Sequence, residues 1–374
     1  MQNLVLLGGG HSHAIALRLL GLNPLPQVRL ILISDVMEAP YSGMLPGHIA
    51  GLYSHQECHI NLLKLANFAQ ADLILDRAVS LDLEHQLVIC QNHVPVPFDY
   101  LSIDIGSTPA TNLISGAEYA IPVKPVPQFL EDWENFLEEI KVIKQSDRLS
   151  LPKIGIVGGG AGGVELALTM QARTDCKIHL CHRSSTLMSG YVPDIGHKFA
   201  QLLQQRGIKL HLNQTVNAIT EDISNKALHC NSGLTINCDR IFWVTNATAP
   251  DWIKNSGIAT DIQGFIAIDH SLRSLSHPNI FATGDIATIK DDPRPKAGVF
   301  AVRQGKPLYQ NLRRVTLGKT PIPFYPQKQH LALIGTGDGR AIAVRGRIMI
   351  GASKLLWIWK DRIDRKFMAQ FVRL

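Results

Sequence analysis

Two glycine-rich runs hold most of the chemistry this sequence can perform. Gly158-Gly159-Gly160-Ala161-Gly162-Gly163 is a complete G-x-G-x-x-G, with Gly158, Gly160 and Gly163 at its three fixed positions. Gly8-Gly9-Gly10-His11-Ser12-His13 supplies Gly8 and Gly10 and puts His13 at the third. The first glycine of such a run permits a tight turn, the second lets backbone approach a pyrophosphate, and the third lets helix pack on strand. The helix that follows turns free N–H groups and the positive end of its dipole toward the phosphates. His13 weakens the earlier run, but its place between a strand and a helix supports a dinucleotide loop over a chance turn.

A dinucleotide loop is normally followed by an acid that holds the ribose hydroxyls. Ser34-Asp35 closes the second apolar strand, and Asp35 is the candidate; a capping or turn role is the alternative. After the later loop the equivalent stretch is Cys181-His182-Arg183-Ser184-Ser185, with no acid. Arg183 suits a 2′-phosphate, which favours NADP over NAD; a solvated loop charge is the other reading. Glu165 is read within the first helical turn after Gly163, placed either by the helix dipole or to reach the nicotinamide end of the cofactor.

The elements that must position these residues are legible as periodicities. Residues 3–7 are apolar, 11–22 have helical spacing through Ile15, Leu17, Leu19 and Leu20, and 28–33 form a second apolar strand. The same strand, turn, helix, strand order returns at 153–157, through Val164, Leu166, Ala167, Leu168 and Met170, and at 177–181. Two copies of one unit predict one nucleotide site in each. Residues 70–106 alternate short strands and turns and end at Gly106, grouped here with the cofactor-binding positions. Residues 207–245 do likewise, with Asn231-Ser232-Gly233 as a hairpin turn. Pro122, Pro125 and Pro127 mark a linker, and Pro250 marks the return. A last segment opens at Pro321, Pro323 and Pro326 and closes in a helix over 353–371. The expected fold is α/β: two Rossmann-like dinucleotide-binding domains, 1–121 with 248–320 and 122–247, and a small C-terminal α+β cap, 321–374.

Composition narrows the classes. The chain has 374 residues, 45% hydrophobic and 18% charged, which suits two globular cores. No apolar run approaches the roughly 20 residues needed to span a bilayer. With no signal-peptide pattern at its start, a cytosolic location is expected. The net charge of +6 comes without a basic block interleaved with aromatics, so nucleic acid is not expected as a partner. Six cysteines, at 58, 90, 176, 181, 230 and 238, form no C-x-x-C or zinc spacing and read as reduced thiols; no metal is expected.

These residues resemble the two-dinucleotide flavoproteins of the pyridine nucleotide-disulfide oxidoreductase superfamily. Gly158 through Ala167 is similar to type II NADH dehydrogenases, and Trp243-Val244-Thr245-Asn246-Ala247-Thr248-Ala249-Pro250 resembles their second-domain exit. Ile280-Phe281-Ala282-Thr283-Gly284-Asp285 resembles the shared flavin-binding motif, and Pro295-Lys296-Ala297-Gly298 with Gln304-Gly305 the element beside the isoalloxazine. A fuller resemblance is to the flavoprotein module fused to the N-terminus of some selenide, water dikinases. It is carried by Gly8 through His13, Pro40-Tyr41-Ser42-Gly43-Met44-Leu45-Pro46-Gly47, Gly335 through Ala343, and Trp359 through Met368. The resemblance implies FAD at the first loop and NADP or NAD at the second. It implies Gly284 and Asp285 on the flavin ribityl chain, Lys124 near the flavin at the domain junction, and cofactor contacts from His11, Ser12, Tyr41, Ser42, Asn246, Lys296 and Ala297. Lys124 and Glu165 are the candidate catalytic residues.

The implied activity is hydride transfer from NAD(P)H through flavin to a quinone-like acceptor. Disulfide reductases of the superfamily carry a cysteine pair after the first unit, where Tyr41, Ser42 and Met44 stand here. Cys58 alone does not supply a sulfide:quinone oxidoreductase site. The alternative is an auxiliary or redox-sensing flavoprotein in selenium or sulfur metabolism, partnered with a selenophosphate synthetase. In the C-terminal helix, Leu356, Trp359, Ile363, Phe367 and Phe371 share a helical spacing among Lys354, Lys360, Arg362, Arg365 and Lys366. Such a stripe either lies in a membrane interface or packs on the body or on a second subunit.

Overall fold

The computed structural model describes residues 1–109, 114–145, 151–222, 225–245 and 247–374. Six of the helices among these residues are α1 (His11–Leu22), α2 (Leu45–Ile49), α3 (Val126–Gln145), α4 (Ala161–Arg173), α5 (Gly298–Thr316) and α6 (Lys354–Val372).

Strand Gln2–Leu7 buries Leu4, Val5, Leu6 and Leu7 in succession, as expected for a central parallel strand covered on both faces. It pairs in parallel with Val28–Ser34 on one side and Tyr100–Ile103 on the other. Asp72–Leu75 and Ile280–Ala282 complete a five-stranded parallel sheet. The second sheet repeats the plan: Lys153–Val157 is central, with Lys177–Cys181 then Lys209–His211 on one side, and Arg240–Trp243 then Ile121–Pro122 on the other. In each sheet the chain leaves the central strand to one side and later returns to the other. The crevice so opened at the strand ends is where doubly wound sheets bind ligands.

A three-stranded antiparallel meander lies between Asp72–Leu75 and Tyr100–Ile103 in the first unit, 78–97, and between Lys209–His211 and Arg240–Trp243 in the second, 216–238. The second contains the hairpin expected at Asn231-Ser232-Gly233. Thr108–Pro109 and Ala247–Thr248, where the chain passes between the sheets, pair antiparallel with each other. The last segment is a three-stranded antiparallel sheet, Ala332–Gly335, Ala341–Arg345 and Ile348–Ser353, leading into α6.

The C-terminal helix corrects one expectation. The apolar residues of its stripe do not share one face. Phe371 is buried and Phe367 packs on Tyr41, but Trp359 and Ile363 point outward with Leu355 and Ile358. The inward face instead carries an ion pair, Lys360 Nζ to Asp364 Oδ2 at 2.7 Å, followed by Met368 and Phe371.

Candidate functional site

Both glycine loops close their central strands with a left-handed first glycine, Gly8 at φ 100° and Gly158 at φ 125°. A Cβ on Gly158 would stand 2.9 Å from the Val244 carbonyl, and one on Gly163 would stand 1.8 Å from the Gly158 oxygen. Glycine at the third position is therefore what lets α4 pack on its strand.

At the first loop His13 takes that position by bonding instead of by smallness. Its Nδ1 donates to the Gly8 carbonyl at 2.7 Å, which leaves Nε2 to accept from Ser102 Oγ at 2.8 Å. Burial pulls its pKa down to about 4, with the Gly8 bond opposing. Both ring nitrogens are thus engaged inside the protein, and the His13 ring pins the loop to the sheet. The Ser12 hydroxyl is likewise engaged: it donates to the Ala301 carbonyl at 2.7 Å and ties α1 to α5.

The other first-unit residues gather at the strand ends. His11 Nε2 accepts from the Ser42 amide at 3.2 Å, and its ring lies against Tyr41. Burial lowers His11 to about 4; nearby Asp285 opposes the shift and Lys124 adds to it. Lys124 Nζ donates to Asp285 Oδ2 at 2.7 Å and to Ser107 Oγ at 2.9 Å. Gly284 N donates to Gln304 Oε1 at 2.7 Å, fixing the turn that presents Asp285. Ala297 caps α5 with no side-chain acceptor, so that helix starts with free amides beside Ser42. Ser34 bonds both backbone groups of Val36 through its hydroxyl, and Asp35 follows it at the surface, 3.4 Å from Arg77.

Lys296 does not face the cleft with its ammonium. Its Nζ donates to the Ala287 carbonyl at 2.6 Å and to Thr288 Oγ1 at 2.9 Å, and lies 3.8 Å from the centre of the Phe265 ring. Burial brings it down to about 8, against the pull of Asp261 and Asp285.

At the second loop the start of α4 is open. Gly160 caps it with no side-chain acceptor, and a Cβ there would meet nothing within 4 Å. His182 Nδ1 accepts from the Gly159 amide at 3.1 Å, and Arg183 is exposed beside it. Asn246 lies outside the described residues. Glu165 lies in the second turn of α4, not the first. Its Oε1 accepts from the Gly335 amide at 2.7 Å, and burial pushes its pKa up to about 7, with Lys360 pulling it back. It therefore faces the C-terminal segment. Tyr41 connects the two regions: its hydroxyl donates to Asp364 Oδ1 at 3.1 Å, its ring stacks on Phe367 at 4.4 Å, and burial followed by Asp364 raises its pKa.

These residues fit dinucleotides on three observations. Gly106 stands at φ 74° with nothing within 4 Å of its Cβ position, so the crevice has room. The Thr283 hydroxyl is buried without a partner among the described residues. The starts of α4 and α5 are uncapped by side chains. Sequence reasoning missed Ser107, Asp104 and the Glu165–Gly335 contact. Asp104 had one readable signal, an acid at the end of the strand next to the central one.

No cysteine pair stands at the first loop; Cys181 and Cys230 share a hydrogen bond in the second unit. All six are free and buried, and burial raises Cys58 to about 12. Among the described residues no group of three or more His, Cys, Asp or Glu is arranged for a metal. No helix among them is long and apolar enough to cross a membrane.

A statistical description of the family "Pyridine nucleotide-disulphide oxidoreductase" matches residues 2–305. The chain belongs to this family. Its relatives within and around the family include the NADH dehydrogenase-like protein YutJ of Bacillus subtilis, 23% identical over 96% of this chain and 99% of that one. The demethylphylloquinone reductase NdbB of Synechocystis is 26% identical over 78% of this chain and 74% of its own length. Among solved structures, the sulfide:quinone oxidoreductase of Aquifex aeolicus superposes with a TM-score of 0.78 at 18% identity, covering 99% of this chain and 91% of that one. At that identity the likeness speaks for the fold.

Proposed function

We propose that this family member is an FAD-dependent NAD(P)H oxidoreductase with a quinone-like acceptor. One observation carries the reading: two parallel sheets of one plan, each with a glycine turn and a helix start at its crevice. We take 1–121 with 248–320 as the FAD-binding unit, 122–247 as the NAD(P)-binding unit and 321–374 as the cap. Bound FAD would supply the capacity to accept a hydride from a nicotinamide and release electrons to a second substrate.

The chain's own residues have narrower tasks. Gly8, Gly10 and the start of α1 hold the FAD diphosphate, and Asp285 accepts a ribityl hydroxyl. Lys124 places a cation at the junction of the units, and the free start of α5 adds a second positive field there. Gly158, Gly160 and the start of α4 hold the nicotinamide nucleotide. Arg183, with no acid nearby in the 181–185 stretch, favours NADP over NAD. The quinone-like acceptor is supported by the absence of a cysteine pair near the first loop and by the likeness to a demethylphylloquinone reductase. The outward Leu355, Ile358, Trp359 and Ile363, flanked by Lys354, Arg362 and Lys366, suit contact with an anionic membrane surface; a second subunit is the competing occupant. A partnership with a selenophosphate synthetase rests on the sequence resemblance alone, at Gly8–His13, Pro40–Gly47 and the two C-terminal segments.

The test is a visible spectrum of the purified protein, then anaerobic titration with NADPH and with NADH, then addition of a quinone. Bleaching by either nucleotide and recovery on quinone are expected. A colourless protein that takes up no added flavin ends the reading.

A further inference from the structure

The two glycine loops differ at the point where a diphosphate would lie. The start of α4 is open above Gly160, whereas the start of α1 already holds a carboxyl group of the chain itself. Asp104 follows strand Tyr100–Ile103, lies directly against Gly8, and is 2% exposed. Its Oδ2 accepts from the Ser12 amide at 2.9 Å and from the His13 amide at 3.2 Å. A Cβ on Gly10 would stand 2.2 Å from its carboxyl carbon, and one on Gly284 would stand 2.3 Å from its Oδ1. The carboxylate thus fills the space between the first loop and the Thr283-Gly284-Asp285 turn. The unpartnered Thr283 hydroxyl begins that turn.

We propose that Asp104 is a proton site coupled to the FAD diphosphate, so that binding the cofactor takes up one proton onto this carboxyl. The inference rests on the FAD reading above. As a carboxylate, Asp104 holds helix-start amides that would otherwise face phosphate, and it sets a buried negative charge beside a dianion. As an acid, its hydroxyl can donate to a phosphate oxygen, and the repulsion is gone.

The groups facing it do little to hold it ionised. Asp285 disfavours its charge, and the Lys124 ammonium is bonded to Asp285. On α1, His11 and His13 are both lowered to about 4 and so neutral near pH 7. Burial outweighs the Ser12 and His13 bonds and lifts Asp104 to about 7, which puts the exchange in the neutral range.

The sign follows from linkage. If the bound state holds the proton more tightly than the free state, affinity for FAD falls as pH rises above the free-state value, approaching about tenfold per pH unit. The experiment uses the full chain stripped of flavin. FAD binding is followed by quenching of flavin fluorescence between about pH 6 and about pH 8.5. Calorimetry at about pH 8 in two buffers of different ionisation heat counts the protons. Wild type should weaken toward tenfold per unit above about pH 7 and take up close to one proton. Asp104→Asn, which keeps an acceptor for the amides without the charge, should show no slope and bind at least about tenfold tighter at about pH 8. A wild-type affinity flat with pH, a proton count near zero, or the same slope in Asp104→Asn overturns the proposal. Should that variant not fold, the wild-type proton count decides alone. A chain that binds no FAD at any pH refutes the functional reading itself, an outcome distinct from flat binding.

Discussion

Lys124 Nζ stands 2.7 Å from Asp285 Oδ2, so a single ammonium ties the segment linking the two sheets to the turn that ends the first sheet. Ser107 Oγ completes the contact at 2.9 Å. Lys124→Gln keeps a donor and removes the charge. Because a fixed cation stabilises the negative charge that collects on reduction, flavin reduction by NAD(P)H should slow about ten- to a hundredfold. Anaerobic stopped-flow absorbance measures this, and an unchanged rate would leave Lys124 a structural link.

Nucleotide choice should turn on Arg183. Replacing it with glutamate sets a carboxylate against a 2′-phosphate, and the ratio of kcat/KM for NADPH to NADH should fall at least about tenfold. Equal losses with both nucleotides would place Arg183 outside the recognition surface.

The Lys360–Asp364 pair is buried on the inner face of α6, Lys360 also donates to the Gly43 carbonyl, and Tyr41 bonds the Asp364 carboxylate. Removing one partner of such a pair costs about 3–5 kcal/mol, and replacing both with apolar residues costs far less. Lys360→Met should therefore shift the urea midpoint strongly, and Lys360→Met with Asp364→Leu should recover most of the loss. A double variant as unstable as the single one would point to Tyr41 or Gly43 as the dominant partner of the helix.

Cys58 should be chemically silent. Burial holds its thiol near pKa 12, and the other five cysteines are buried as well. Iodoacetamide should leave the folded protein unmodified and label it only after denaturation. Cys58→Ala should keep its rate of flavin reduction. Rapid labelling of Cys58 in the native protein would reopen a thiol mechanism.

The outer face of α6 gives the exposed surface a measurable property. The chain should sediment with vesicles containing anionic lipid, and Leu355→Asp with Ile358→Asp should abolish that at unchanged stability. If the wild type ignores vesicles but its mass grows with concentration, the face belongs to a second subunit.

Much of the fold could be read from the chain because its signals are local. Four consecutive apolar residues before Gly8, glycines at fixed spacing, and the Asn231-Ser232-Gly233 turn each fix one element without reference to the rest. The site was less legible because its contacts join distant segments. Nothing in the spacing of α1 says that Ser12 turns toward Ala301 or that His13 spans from Gly8 to Ser102. Glu165 was placed by its distance from the glycines, but which neighbour meets that side of α4 is decided by Gly335, far along the chain. The α6 stripe misled for the same reason: helical spacing finds a face, while Gly43, Tyr41 and Asp364 decide which face turns inward.

The paired strands Thr108–Pro109 and Ala247–Thr248 constrain how the two lobes can move. A lone connector would act as a swivel, free to twist about its own bonds. Two tapes laced side by side resist twisting, and Lys124 fastens a further point of the same seam. Any widening of the opening between the lobes must therefore bend both tapes together and stretch the Lys124 fastening.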